Sequence, residues 1–204
     1  MYIKINHFNN SILLFNIEKE IYNICDIYKK NIIEITGKPS SGKSLLCEIY
    51  LQELSKQYRC CFISSDYINI INYQKKKIDI DTVVINQQLL KEENFKLFCE
   101  YLNHKYDILF FDSITYYKEL FAKYYYLLYN TTIFYVTDIR FNLNYSRSLF
   151  KSTNLSQLLQ KTNHLILCQK IHDFQDKIIF EFNDLLSYDS KKIIYKLKKE
   201  NINE

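Results

Sequence analysis

Short apolar runs alternate along the chain with longer stretches in which apolar residues recur every three or four positions. Runs rich in β-branched and aromatic residues read as buried strands, and the three-to-four spacing reads as amphipathic helix. On that basis residues 31–36 (NIIEIT) form a strand entering a turn at Gly37, and 43–54 form a helix with Leu45, Leu46, Ile49 and Leu54 in register. Residues 59–64 (RCCFIS) and 82–85 (TVVI) are the second and third strands, and 92–102 is a helix presenting Phe95, Phe98 and Leu102. A fourth strand, 108–111 (ILFF), runs into Asp112, and a helix over 116–129 and a fifth strand over 133–136 follow it. Ahead of these, 1–28 are helical in part, with Ile17, Ile21, Ile24 and Tyr28 at helical spacing. Three strand-like runs close the chain, at 165–168, 178–182 and 193–197.

Alternating short strands and helices predict an α/β fold with a mainly parallel central sheet flanked by helices. The closing runs leave no room for crossover helices, so they are expected to add antiparallel strands at one edge. No repeat and no Pro/Gly/Ser-rich linker interrupts the pattern. The chain therefore reads as one domain: an extension over 1–30, a core over 31–138, a loop over 139–157 and C-terminal strands over 158–204.

Composition changes the weight of individual residues. The chain has 204 residues, 48% hydrophobic and 25% charged, which excludes disordered and collagen-like classes. It holds 2 Gly and 1 Pro against 19 Tyr and 14 Phe, the signature of an AT-biased genome. An abundance of Lys, Asn or Tyr therefore carries little information, and a Gly or Pro that persists carries much. The net charge of +4 permits nucleic-acid contact without requiring it. The run Lys75, Lys76, Lys77 and the lysines from 191 to 199 read first as solvated surface. The 6 cysteines have no C-x-x-C spacing and are expected to be buried thiols, not a zinc site or disulfide frame. The four histidines share no ligand spacing. No apolar run approaches the length of a membrane span, and the first residues lack a secretory pattern, so an intracellular protein without membrane contact is expected.

The chemistry concentrates between the first strand and the first long helix. Gly37, Lys38, Pro39, Ser40, Ser41, Gly42, Lys43 and Ser44 complete a G-x-x-x-x-G-K-S pattern. In such a loop, glycines let successive backbone N–H groups converge with a helix N-terminus on one anion. Lys43 then reaches the β- and γ-phosphates of a nucleotide, and Ser44 ligates Mg²⁺. Both glycines of the chain and its only proline fall inside this loop. Asp112, ending an apolar strand, is placed to hold the water shell of Mg²⁺. Asp66, past the second strand in Phe62-Ile63-Ser64-Ser65-Asp66-Tyr67, is either a carboxylate that orients the attacking water or a turn and cap residue.

Together these three elements resemble the RecA-type recombinase ATPase core. Ser40-Ser41-Gly42-Lys43-Ser44 is similar to that superfamily's phosphate loop, and Phe110-Phe111-Asp112-Ser113 to its magnesium strand. Asp66 stands where the family has its catalytic glutamate, one methylene shorter. Within the superfamily the chain is most similar to the eukaryotic recombinase paralogs that mediate homologous recombination. The acid-then-tyrosine pair Asp66-Tyr67 and the sequence Ser156-Gln157-Leu158-Leu159-Gln160-Lys161 look like the second X-ray-repair cross-complementing paralog. The resemblance covers about residues 30–198. It implies ATP and Mg²⁺ as cofactors, weak or partner-dependent ATPase activity, and other recombinase paralog subunits as partners. It also implies single-stranded or branched DNA as a ligand, and a nuclear location in a eukaryote, otherwise a cytoplasmic one. Residues 1–30 are too few for the helical DNA-binding domain of full recombinases and contain no Phe-x-x-Ala polymerisation sequence, so self-assembly into filaments is not expected.

In RecA-like folds the loops after the fourth and fifth strands face DNA. The stretch from Ile139 to Lys151 interleaves Arg140, Arg147 and Lys151 with Phe141, Tyr145 and Phe150, cations for phosphates and rings for unstacked bases. Its alternative is a surface loop packed on the core. Thr137-Asp138 ends the fifth strand either as a sensor of the γ-phosphate or as a cap. Two other functions compete. A phosphate-loop nucleotide or small-molecule kinase needs a lid with several arginines, and the chain has only Arg59, Arg140 and Arg147. A scaffold that binds nucleotide without turnover fits the shortened acid at Asp66.

Overall fold

A computed structural model describes residues 30–71 apart from 69, 80–138, 158–170 apart from 159, 177–184 and 190–196. The expected helix within 1–28, the Lys75–Lys77 run and the 139–157 stretch with Arg140, Arg147 and Lys151 lie outside the described residues.

The apolar runs fold as β1 (Ile32–Gly37), β2 (Cys60–Ser64), β3 (Asp81–Val84), β4 (Ile108–Asp112), β5 (Thr132–Asp138), β6 (His164–Lys170), β7 (Lys177–Asp184) and β8 (Ser190–Lys196). Between them lie α1 (Lys43–Leu54), α2 (Glu92–Lys105) and α3 (Lys118–Tyr124). The strands make one sheet in the order β3-β2-β4-β5-β1-β6-β7-β8. Pairing is parallel from β3 through β6 and antiparallel for β6 with β7 and β7 with β8. The closing strands thus form the antiparallel edge that their short connections predict.

Both faces of the parallel region are covered, which is why its strands read as continuous apolar runs. Ile33, Ile35, Phe62, Phe110 and Phe134 pack with Leu46, Cys47, Tyr50 and Leu54 of α1. The alternate residues Cys61, Ile63, Leu109, Phe111, Ile133 and Tyr135 meet Phe95, Cys99 and Leu102 of α2 and Phe121 of α3. Cys47, Cys60, Cys61, Cys99 and Cys168 are buried thiols inside these layers. Among the described residues no helix is long and apolar enough to cross a membrane.

The helix expected over 116–129 is broken. Tight 3₁₀ turns at Ile114–Tyr116 and Tyr125–Leu128 flank the short α3. The first is nucleated by Ser113, whose hydroxyl accepts from the Thr115 N–H. The second turns Leu128 into the core and leaves Tyr126 exposed. Crowded aromatics lower helix propensity here, so packing decides the local form. β5 runs further than its apolar core, because Thr137 and Asp138 pair in register with Thr36 and Gly37 of β1.

One polar group sits inside the sheet. Glu34, 1% exposed, projects from the middle of β1 toward Tyr135 and Thr137. Thr162 has one hydroxyl proton and gives it to the Leu158 carbonyl at 2.9 Å. The Thr162 and Tyr135 hydroxyls also lie 2.8 Å apart. The Tyr135 hydroxyl donates to Glu34 Oε2 at 3.3 Å, and the Thr137 hydroxyl donates to Oε1 at 2.6 Å. Burial raises the Glu34 carboxyl above its ordinary value, against smaller opposing effects of Thr137 and Tyr135. Because the folded chain keeps a proton that the unfolded chain sheds near 4.5, stability falls as pH rises above that value. Glu34→Gln reproduces the neutral acid. Relative to the wild type its stability should rise as pH climbs past 4.5 and level off once the raised carboxyl has titrated, a divergence that thermal melts against pH would show.

Candidate functional site: a phosphate loop at the strand ends

Strands β1, β2, β4 and β5 run parallel, so Gly37, Ser64, Asp112 and Asp138 end on the same side of the sheet, where α/β folds bind ligands. The chain leaves β1 at Gly37, whose lack of a side chain is required by its neighbours. A Cβ there would lie 2.5 Å from the Cys168 carbonyl oxygen of β6 and 2.4 Å from Ser41 Oγ. Ser40 and Gly42 both have left-handed backbone, with φ of 60° and 97°. These reversals curl the loop back on itself, with the Ser41 N–H donating to the Lys38 carbonyl at 3.2 Å, the kind of turn whose backbone can cradle an anion.

α1 begins at Lys43 with no side-chain cap and no acidic residue in its first turn. Its leading N–H groups have no acceptor within the helix and its dipole favours an anion. Ser41 Oγ is buried without a hydrogen-bond partner among the described residues. An uncapped helix start, a curled loop and an open buried hydroxyl together fit a phosphate group.

Lys43 is mostly buried and bends back over the loop. Its ammonium donates to the Gly37 carbonyl at 3.0 Å and the Lys38 carbonyl at 2.9 Å, and pairs with Asp138 Oδ1 at 2.9 Å. Beside it, Ser44 Oγ donates to Asp112 Oδ2 at 2.9 Å. A hydroxyl and a carboxylate are the hard oxygen ligands that Mg²⁺ takes alongside substrate phosphates. Ser44 and Asp112 are thus the residues that would hold it. Burial pushes the Asp112 carboxyl above its usual range; Ser44 and Lys43 oppose this, and the charges of Asp138 and Asp66 add to it. A divalent cation would offset that crowding of negative charge. The peptide bond from Asp112 to Ser113 is cis.

Asp66 lies on the same side of the sheet, exposed to solvent. Its Oδ1 accepts from the Ile68 N–H at 2.8 Å and its own N–H donates to Ser64 Oγ at 3.0 Å, the geometry of a cap. Arg59 is remote from the loop. It forks onto Asp107 at the opposite ends of β2 and β4, through Nη2 to Oδ1 at 2.8 Å and Nε to Oδ2 at 3.1 Å. That placement removes it from any arginine lid. Two features escaped sequence reasoning: the pairing of Asp138 with Lys43, and the polar set around Glu34. Only the second left a local trace, an acid between Ile33 and Ile35 in an otherwise apolar strand.

No protein-family model and no curated protein matches the sequence. Among solved structures, the chain is similar to the flagellar accessory protein FlaH from Methanocaldococcus jannaschii, with a TM-score of 0.52 and 18% identity. The likeness covers 83% of this chain and 86% of that one. The fold is RecA-like. The finer resemblance, to one recombinase paralog, gains nothing from this comparison, which supports the superfamily fold alone.

Proposed function

We propose that the chain is a RecA-like subunit that binds Mg-ATP, with Lys43 and the loop amides on the phosphates and Ser44 and Asp112 on the metal. The observation that carries this reading is the convergence of an uncapped helix start, the curled loop and the Ser44–Asp112 pair at the ends of the parallel strands. Hydrolysis is slow or awaits a partner, because Asp66 is engaged as a cap and shorter than the glutamate of active relatives.

In its finer form the reading is a recombinase-paralog subunit in homologous-recombination repair. It joins other paralogs and contacts single-stranded or branched DNA, in the nucleus of a eukaryote or otherwise in the cytoplasm. Support for that form rests on the sequence resemblance around Asp66-Tyr67 and on the basic and aromatic residues Arg140, Arg147 and Lys151. A second reading follows from the likeness to a flagellar accessory protein: an ATP-binding accessory subunit of a machine that does not act on DNA. ATP turnover with and without single-stranded DNA separates the two, with Lys43→Ala as the blank. Stimulation by DNA that Lys43→Ala abolishes supports the recombination reading. DNA-independent behaviour of a folded, ATP-binding chain supports the accessory one.

A further inference from the structure

Asp112, Asp66 and Asp138 all stand on the loop side of the sheet, and each is engaged differently. Asp112 accepts from Ser44 and belongs with the metal. Asp66 is tied down as a cap by the Ile68 N–H. Asp138 Oδ1 lies 2.9 Å from the Lys43 ammonium, and its charge bears on Asp112 more than that of Asp66 does. Lys43 directs its three protons at Asp138 and at the carbonyls of Gly37 and Lys38. Those carbonyls belong to the loop itself, so a phosphate that reaches Lys43 takes the place of the partly exposed Asp138 carboxylate. The carboxylate gives way but its backbone does not. Asp138 is paired in register with Gly37, and beside it the Thr137 hydroxyl donates to the buried Glu34 at 2.6 Å and lies 2.9 Å from Thr36 Oγ1. The freed carboxylate therefore stays next to the phosphates.

We propose that Asp138 is a catalytic residue for ATP hydrolysis: it is the carboxylate that holds and deprotonates the attacking water, the role that Asp66 does not fill. An ionised carboxylate and a phosphate only accept hydrogen bonds, so they cannot bond to each other. A water between them can donate to the carboxylate while a lone pair of its oxygen faces phosphorus. In the reaction the water oxygen bonds to the γ-phosphorus, and the bond from that phosphorus to the β–γ bridging oxygen breaks. ADP leaves with the electron pair of that bond, and the water proton passes to Asp138 and on to the released phosphate. Lys43 offsets the charge on the phosphates, and Thr137 with Glu34 keeps the end of β5 in place beneath the carboxylate.

The inference rests on the Mg-ATP reading, and its test separates the two. Phosphate release from Mg-ATP, with and without single-stranded DNA, is followed for the full chain, Asp138→Asn, Asp138→Ala and Asp66→Asn, with Lys43→Ala as the blank. Melts confirm which variants are folded, and calorimetry gives each dissociation constant for Mg-ATP. Asp138→Asn and Asp138→Ala are expected to lower turnover about a hundredfold, or to the blank, while the dissociation constant changes less than about fivefold. Asp66→Asn, whose amide oxygen still caps, is expected to lower turnover less than about threefold. Asp138 variants that turn over at the wild-type rate overturn the assignment. So does an Asp66→Asn protein that falls to the blank, and so does a wild type that binds Mg-ATP but releases no phosphate above the blank. A wild type that binds no Mg-ATP overturns the nucleotide reading and the assignment with it.

Discussion

Phe134→Ala is expected to cost about 3–5 kcal/mol of unfolding free energy, lowering the melting temperature by roughly 10 °C. Phe134 is fully buried at the middle of β5, directly opposite Phe110 of β4. Their rings stack with centroids 4.4 Å apart and 3° between planes, and Tyr50 of α1 leans on Phe134 at 5.1 Å. Truncation removes the ring that joins two strands to the helix behind the phosphate loop. The cavity forms in a sheet covered on both faces, so collapse around it is limited. Denaturant melts measure the loss directly. Phe134→Leu, which keeps most of the volume, should recover most of it.

Gly42→Ala is the second large effect and acts on stability and binding together. At φ 97° an L-residue pays a backbone penalty, and the new Cβ would sit 2.6 Å from Ile178 Cδ1 and 3.2 Å from its Cγ2. Ile178 is itself buried and β-branched, so it cannot swing aside freely. The strain and overpacking are expected to cost about 2–4 kcal/mol. The loop would relieve them by moving the start of α1, which misaligns donors aimed at the phosphates and weakens Mg-ATP binding by about tenfold or more. An alanine variant that melts and binds like the wild type would show that the left-handed turn is not the binding conformation.

What could be read from the sequence was what is local. The phosphate loop and the 43–54 helix depend on neighbours in the chain, and Gly37, Gly42 and Pro39 stand out because the rest of the sequence lacks such residues. The strands were legible because burial on both faces makes them apolar throughout, but their polar ends were not. Thr137 and Asp138 belong to β5 only through pairing with Thr36 and Gly37, about a hundred positions earlier. The same distance hides the Lys43–Asp138 pair and the partners of Glu34, since no short-range rule connects them. Asp66 offered two roles in the sequence, and its bond from the Ile68 N–H is the cap geometry. The aromatic stretch from Tyr116 to Leu128 was readable as inward-facing but not as a broken helix, because its turns follow packing rather than propensity.

The central claim is that the loop from Gly37 to Ser44 holds the phosphates of Mg-ATP. Its most direct test is equilibrium binding of Mg-ATP to the full chain and to Lys43→Ala, with both shown to be folded. The account predicts saturable binding by the wild type, weakened about tenfold to a hundredfold when the ammonium is removed. A wild type that does not bind at millimolar nucleotide, or a Lys43→Ala protein that binds equally well, would contradict it.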